Sequence, residues 1–167
     1  MMEMTERYHH PLSLICIGVD ESAAIKFLGS EGATLISRAI TRYLRQETRS
    51  HDVVGRSTEV DSQGYPYFLI ACPLLDEVKA GALALRIVDD IMSQALDPER
   101  PWLSLSVGVA SMAMDVSEPD ALLGRAAASL NRARRSGGKR VWLHSSTAQS
   151  IFGHEEINNT NSDQQLE

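Results

Sequence analysis

Hydrophobic residues recur with two different periods along this chain, and the switches between them predict an alternation of strands and helices. The run Leu12-Ser13-Leu14-Ile15-Cys16-Ile17-Gly18-Val19 is almost wholly apolar and predicts a buried strand, closed by Asp20-Glu21-Ser22 and followed by a short helical piece. From Glu31 to Thr48 the apolar residues Leu35, Ile36, Ala39, Ile40, Tyr43 and Leu44 recur at helical spacing, while Arg38, Arg42, Arg45 and Arg49 form a stripe on another face. Val53 to Val60 and Pro66 to Cys72 are β-rich runs separated by Asp61-Ser62-Gln63-Gly64, which is turn chemistry. A hairpin is expected there, with Pro66 at a strand end or edge.

A second long helix is expected from about Leu75 to Leu96, with Ala84, Ile87, Val88, Ile91 and Ala95 on its core face and Arg86 just off it; Pro98 and Pro101 lie beyond its end. Trp102 to Ala110 alternates as a strand with apolar residues on one face and small ones on the other. Ser117 is placed to cap a third helix, with Pro119 in its first turn and Asp120 completing a capping box. Leu123, Ala126, Ala127 and Leu130 carry that helix's apolar face, Arg132, Arg134 and Arg135 suit its C-terminal dipole, and Gly137-Gly138 ends it. Val141-Trp142-Leu143 makes a final strand.

These elements describe one domain over residues 12–145, preceded by a lead-in at 1–11 and followed by a tail at 146–167 whose Glu, Asn, Ser, Asp and Gln content predicts disorder. At 167 residues, with 43% hydrophobic and 23% charged, the chain has the makings of an ordinary globule with a sizeable core. The two cysteines, Cys16 and Cys72, fall inside apolar strand-like runs, which points to reduced thiols and neither to a disulfide framework nor to metal ligation. No stretch reaches the roughly 18 apolar residues of a membrane span. The start, Met1-Met2-Glu3-Met4-Thr5-Glu6, has no signal-peptide character, so membrane insertion is not expected and a cytoplasmic location is. A net charge of −6 argues against a general nucleic-acid binder.

Candidate chemistry is concentrated in Arg49-Ser50-His51-Asp52, which sets a cation and a carboxylate three residues apart where a helix ends and a strand begins. Guanine presents two acceptors, O6 and N7, to the fork of an arginine, and its N1–H and N2 donors to a carboxylate. A plainer account fits the same residues: Arg49 neutralises its helix's C-terminus and Asp52 opens the strand. His9, His10 and His51 have no partners at metal-ligand spacing and read as surface histidines; Arg132 to Arg140 reads as solvated helix-end charge.

Taken in order, several segments together resemble the GGDEF domain of diguanylate cyclases, which condense two GTP molecules into cyclic di-GMP. They are the opening strand, Arg49-Ser50-His51-Asp52-Val53-Val54-Gly55-Arg56, the Phe68-to-Pro73 strand end, Leu103 to Ala110, and Asp120-Ala121-Leu122-Leu123 running to Asn131-Arg132-Ala133-Arg134-Arg135-Ser136-Gly137. The resemblance implies an α+β, nucleotide-cyclase palm-like fold, with a central, mostly antiparallel five-stranded sheet flanked by helices.

The departures from the family pattern bear on activity. The signature turn falls at Gly64-Tyr65-Pro66-Tyr67-Phe68, where only the first glycine and the phenylalanine match; Tyr65 replaces the second glycine, and Pro66 and Tyr67 replace the acidic pair. Seven residues separate Arg56 from Gly64 where the family has one, so the hairpin is six residues longer. Gly18 stands where the first-strand metal aspartate belongs, with Asp20 two residues further on. Lys26 and Thr34 lie near the positions of the guanine-contacting asparagine and aspartate, Arg134 resembles the phosphate-contacting lysine, and Gly138 replaces an arginine. Two-metal phosphoryl transfer needs carboxylates to hold Mg²⁺, so no cofactor, no Mg²⁺ and no catalytic residue is expected.

The resemblance also implies a second site. In the family an Arg-x-x-Asp just before the signature turn is the inhibitory site for product cyclic di-GMP, and an arginine from the following helix often joins it. Arg49 and Asp52 match that motif, Arg86, thirteen residues past Pro73, stands in the third position, and Arg45 is one turn back from Arg49. The expected function is a catalytically inactive receptor for cyclic di-GMP, signalling through ligand-dependent homodimerisation or through an unidentified protein partner. The alternative is a nucleotide-independent interaction module that uses the altered turn, with Tyr65 and Tyr67, and the longer hairpin.

Overall fold

The computed structural model of the chain describes residues 10–20, 23–60, 65–94, 103–112, 118–145 and 150–152. The opening apolar run forms β1 (Leu12–Val19), and α1 (Ala23–Glu47) follows. Gly29, at φ 62 and ψ −164, breaks α1 into a short leading piece and the long amphipathic helix expected from Glu31. Only glycine adopts that backbone geometry without a steric penalty. The hairpin strands are β2 (Val53–Val60) and β3 (Pro66–Pro73), followed by α2 (Glu77–Gln94) and β4 (Leu105–Ser111). The last elements are α3 (Pro119–Arg135), β5 (Arg140–Leu143) and β6 (Ser150–Phe152).

The strands assemble in the order β2-β3-β1-β4-β5-β6. β1 lies antiparallel between β3 and β4, β2 pairs antiparallel with β3, and the β4–β5 pair is parallel. The five expected strands are all present in a mostly antiparallel sheet. A sixth is added, because Ile151 and its neighbours in the segment expected to be tail pair antiparallel with Val141 and Trp142 of β5. The turn residues 61–64 and the capping Ser117 lie outside the described residues.

The period of two along the strands sends alternate side chains into two layers. On one face Ile15, Ile17 and Val19 of β1, Phe68, Ile70 and Cys72 of β3, and Leu105, Val107 and Val109 of β4 pack beneath α1 and α2. α1 contributes Ile40 and Leu44 to this layer, and α2 contributes Ala80, Ala84, Ile87, Val88 and Ile91. On the other face Leu12, Cys16 and Ala110 meet Leu122, Ala126 and Leu130 of α3.

Two details of α3 differ from the sequence expectation. Its buried stripe is Leu122, Ala126, Ser129, Leu130 and Ala133, and Glu118 occupies the cap position without a side-chain capping bond. The stripe is rotated by one residue, from Leu123 to Leu122, because the helix lies on the small-residue face of β4. A Cβ added at Gly108 would come within 2.0 Å of the Ala126 carbonyl oxygen and 2.2 Å of the Leu130 nitrogen. The α3 backbone therefore rests on the glycine itself, and the residues that face the sheet follow from that contact.

Candidate functional site

The C-terminus of α1 is closed by Thr48, whose hydroxyl donates to the Leu44 carbonyl at 2.7 Å and whose backbone N–H reaches the same oxygen at 3.1 Å. The chain then turns through Arg49-Ser50-His51-Asp52. Asp52 Oδ2 accepts the Arg49 backbone N–H at 2.9 Å, and the Asp52 N–H donates to the Arg49 carbonyl at 3.1 Å. This reciprocal pair holds the four residues as a compact turn with the Arg49 side chain exposed and Asp52 half-buried. Buried beneath it is Cys72, whose thiol is pushed up to about 12 by burial and by the Asp52 carboxylate, with Arg49 acting the other way.

Arg86 on α2 reaches the same helix end. Its Nη2 donates to the Glu47 carbonyl at 3.5 Å, and its Nη1 lies 3.6 Å from Glu47 Oε2. Half of the Arg86 side chain is exposed (51%), so this is a surface ion pair and a weak tether. Behind it Tyr43 is pushed up to about 12, by burial, by its hydrogen bond to the Asp90 carboxylate, and by the charges of Asp90 and Glu47. Arg49, Asp52 and Arg86 thus gather at one end of α1.

Arg45, one turn back from Arg49, lines an open groove of about 640 Å³ on the outer flank of α1, together with Arg38, Arg42, Ser37, Thr41 and Gln46. Val54, Gly55 and Arg56 of β2 form its opposite wall. The arginine stripe was visible in the sequence, but the fourth cation, Arg56, reaches it only through the packing of β2 beside α1.

At the far end of β1 the chemistry is internal. Arg134 donates through Nη2 to the Val19 carbonyl at 2.8 Å and through Nε to Asp20 Oδ1 at 3.3 Å, with both side chains nearly buried (8% and 14% exposed). Asp20 Oδ2 accepts the hydroxyls of Ser104 at 2.7 Å and Ser106 at 2.9 Å, and the Lys139 backbone N–H at 3.3 Å. A Cβ on Gly18 would lie 2.4 Å from Arg134 Nη2, so the guanidinium takes the room a side chain at position 18 would use. The sequence suggested Arg134 as a phosphate contact; the fold turns it inward. Ser104 and Ser106 were missed, since serines on the small face of a strand carry no signal of their own.

The altered turn is closed as well. Tyr65 packs against the α1/α2 layer and Tyr67 against the α3 layer. Both are half-buried and lie on opposite faces, so they do not form one exposed surface. The cavity bounded by Val19, Ala33, Ile36, Ser37, Tyr65, Pro66 and Phe68 measures about 10 Å³. That is room for no more than one water. Gly64 and the side chain of Lys26 lie outside the described residues; Thr34 bonds back to the Ser30 carbonyl at 2.9 Å.

No protein-family model matches the chain, and no curated protein does. Solved structures do match. The active GGEEF domain of a diguanylate cyclase from Vibrio cholerae superposes with a TM-score of 0.72 at 19% identity, covering 87% of this chain and 90% of that one. The fold is that of a GGDEF domain. The GGDEF domain of DgcB from Caulobacter crescentus, solved in complex with c-di-GMP, gives 0.71 at 16% identity over 86% of this chain and 84% of that one. The diguanylate cyclase SiaD from Pseudomonas aeruginosa, solved with its activator SiaC, gives 0.71 at 23% identity over 85% of this chain and 53% of that one. Among the described residues of this GGDEF fold no group of three or more His, Cys, Asp or Glu side chains is arranged to hold a metal ion. No described helix is long and apolar enough to cross a membrane.

Proposed function

We propose that this GGDEF-fold domain is a catalytically inactive receptor for cyclic di-GMP that binds through Arg49, Asp52 and Arg86. The observation that carries the reading is the Arg86–Glu47 contact, which brings a cation from α2 to the end of α1 two residues before the Arg49–Asp52 turn. One exposed arginine can fork onto guanine O6/N7 or onto a phosphate oxygen, the second can stack on a purine, and the carboxylate can accept from N1–H and N2. Cyclic di-GMP supplies all of these partners in one molecule. Neighbours of the same fold have been solved in complex with it.

Loss of catalysis is supported by the opposite end of the sheet. A Mg²⁺ ion does not fit the residues present: Gly18 has no carboxylate, Asp20 is already engaged by two serines, an arginine and a backbone N–H, and a guanidinium fills the adjoining space. The cavity beside the altered turn is too small for a base. A domain in this state transmits ligand binding by dimerising or by docking a protein partner. A nucleotide-independent interaction module is the second reading, favoured by the SiaD–SiaC precedent for a protein partner on a chain of this fold.

Calorimetric titration with cyclic di-GMP tests the proposal, with GTP and cyclic di-AMP as controls. Low-micromolar or tighter binding is expected, weakened at least about tenfold by Arg49→Ala and by Asp52→Ala. Absence of binding to the unmutated chain rejects it in favour of the interaction module. Formation of a cyclic product or pyrophosphate from GTP and Mg²⁺ rejects the loss of catalysis.

A further inference from the structure

We infer that the groove between α1 and β2 is a second anion site, built to take the phosphate chain of a small di- or triphosphate-bearing ligand. Its wall carries Arg38, Arg42 and Arg45 at intervals of four and three residues, so the helix presents them as one row, and Arg56 faces them from β2. Alternation along β2 puts Arg56 on the same side as Val54, which packs against the α1/α2 layer. Four guanidinium groups line one groove and no carboxylate does.

Their pairing state differs from that of Arg86 and Arg134. Arg86 is paired with Glu47 and Arg134 with Asp20, whereas among the described residues Arg38, Arg42, Arg45 and Arg56 make no ion pair. The chain has 22 acidic residues against 16 basic ones, so carboxylates to neutralise this row are abundant. Like charges at helical neighbour spacing repel and destabilise the helix. A row kept free of acids in an acidic protein has the character of a site for an anion supplied from outside.

Chemistry selects the anion. Guanidinium forks match the paired oxygens of phosphate, and several in a row match a chain of phosphates better than one carboxylate. At about 640 Å³ the groove is in the size range of small-ligand sites. Its β2 wall includes Gly55 between Val54 and Arg56. Gln46 and the hydroxyl residues Ser37 and Thr41 lie between the arginines.

The site is separate from the Arg49–Asp52 turn and does not depend on the cyclic di-GMP reading. Titration of the full chain with sodium tripolyphosphate, followed by calorimetry and by backbone NMR shifts, is the test. Saturable binding is expected, with shifts centred on residues 37–46 and 54–56. Arg38→Gln/Arg42→Gln weakens it at least about tenfold. Arg132→Gln/Arg135→Gln, which removes the same charge from the exposed end of α3, leaves it within about twofold. Arg49→Ala/Asp52→Ala retains it, even where cyclic di-GMP binding is lost. Thermal melts confirm that each variant folds. GTP and ATP as second titrants separate the sources: equal affinity points to a free phosphate chain, and tighter binding that Arg38→Gln/Arg42→Gln still removes points to a nucleotide. No saturable binding, equal weakening by both double variants, or binding of an acidic peptide in place of tripolyphosphate overturns the inference.

Discussion

Arg134 and Asp20 form a nearly buried ion pair, Nε to Oδ1 at 3.3 Å, across 114 residues of sequence. It ties the last turns of α3 to the end of β1 and gathers Ser104, Ser106 and the Lys139 backbone around one carboxylate. The arrangement bears directly on stability.

Removing one partner of this pair leaves the other charge desolvated and unmatched. Asp20→Asn and Arg134→Met are each expected to lower the unfolding free energy by about 3–5 kcal/mol. The double substitution is expected to cost less than the sum, because neither charge is then stranded. Urea denaturation of the four chains measures it; strict additivity would contradict a coupled pair.

Two glycines make opposite predictions. Gly108→Ala forces a Cβ into the Ala126 carbonyl and the Leu130 nitrogen, which are backbone atoms that move only if α3 lifts from the sheet. A loss of about 3 kcal/mol or more is expected. Gly55→Ala meets nothing within 4 Å and is expected to be neutral or to stabilise by up to about 1 kcal/mol, since alanine has less freedom to lose in a strand. Thermal or urea unfolding of both variants separates a packing role from an incidental glycine.

Alkaline pH should expose the buried thiol and the phenol. Cys72 is raised from 9.0 to about 12, chiefly by burial, and Tyr43 from 10.0 to about 12 by burial and the Asp90 hydrogen bond. Both groups stay protonated in the folded chain at pH values where they ionise in the unfolded one. The stability they contribute is complete below about pH 9 and is lost as pH rises towards 12, with a slope of up to about 1.4 kcal/mol per pH unit from Cys72. Denaturant midpoints across that range should fall, and Cys72→Ala should flatten the early part of the decline. Asp90→Asn should bring the tyrosinate absorbance of Tyr43 in at lower pH.

Glu47 holds Arg86 through a surface pair, and a ligand recruiting Arg86 must first release it. Such pairs contribute about 0–1 kcal/mol. Glu47→Gln is therefore expected to tighten cyclic di-GMP binding by up to about fivefold, while Arg86→Ala weakens it. Weaker binding by Glu47→Gln would place the carboxylate, and not the arginine it restrains, in the ligand's contact set.

Much of this was legible along the chain. The almost wholly apolar run Leu12–Val19, the helical period from Leu35 to Leu44 and the alternation of apolar and small residues up to Ala110 each predicted the element that forms, although Leu35, expected on the apolar face, is exposed. Local periodicity suffices for that because every residue counted lies within a few turns or strand steps of the next. The Arg49–Asp52 spacing was readable for the same reason, and its closed turn is held by bonds between those two residues alone.

What the sequence could not reveal depends on contacts between distant segments. Arg134 looked like an outward cation at a helix end until β1 and β4 supplied Asp20, Val19 and two serines to turn it in. The stripe of α3 was off by one residue because the closest contact is to a glycine, which has no hydrophobic signature.

By itself the sequence determined the order of strands and helices from β1 to β5 and the position of the Arg49–Asp52 turn, all encoded in short-range spacing. Only the tertiary structure decided which cations face one another: Arg86 was brought to the end of α1, Arg134 was buried against Asp20, and Arg45 was assigned to a groove completed by Arg56. Spacing orients a side chain on its own element, but a site made of charges from separate elements exists only once the sheet and helices have packed.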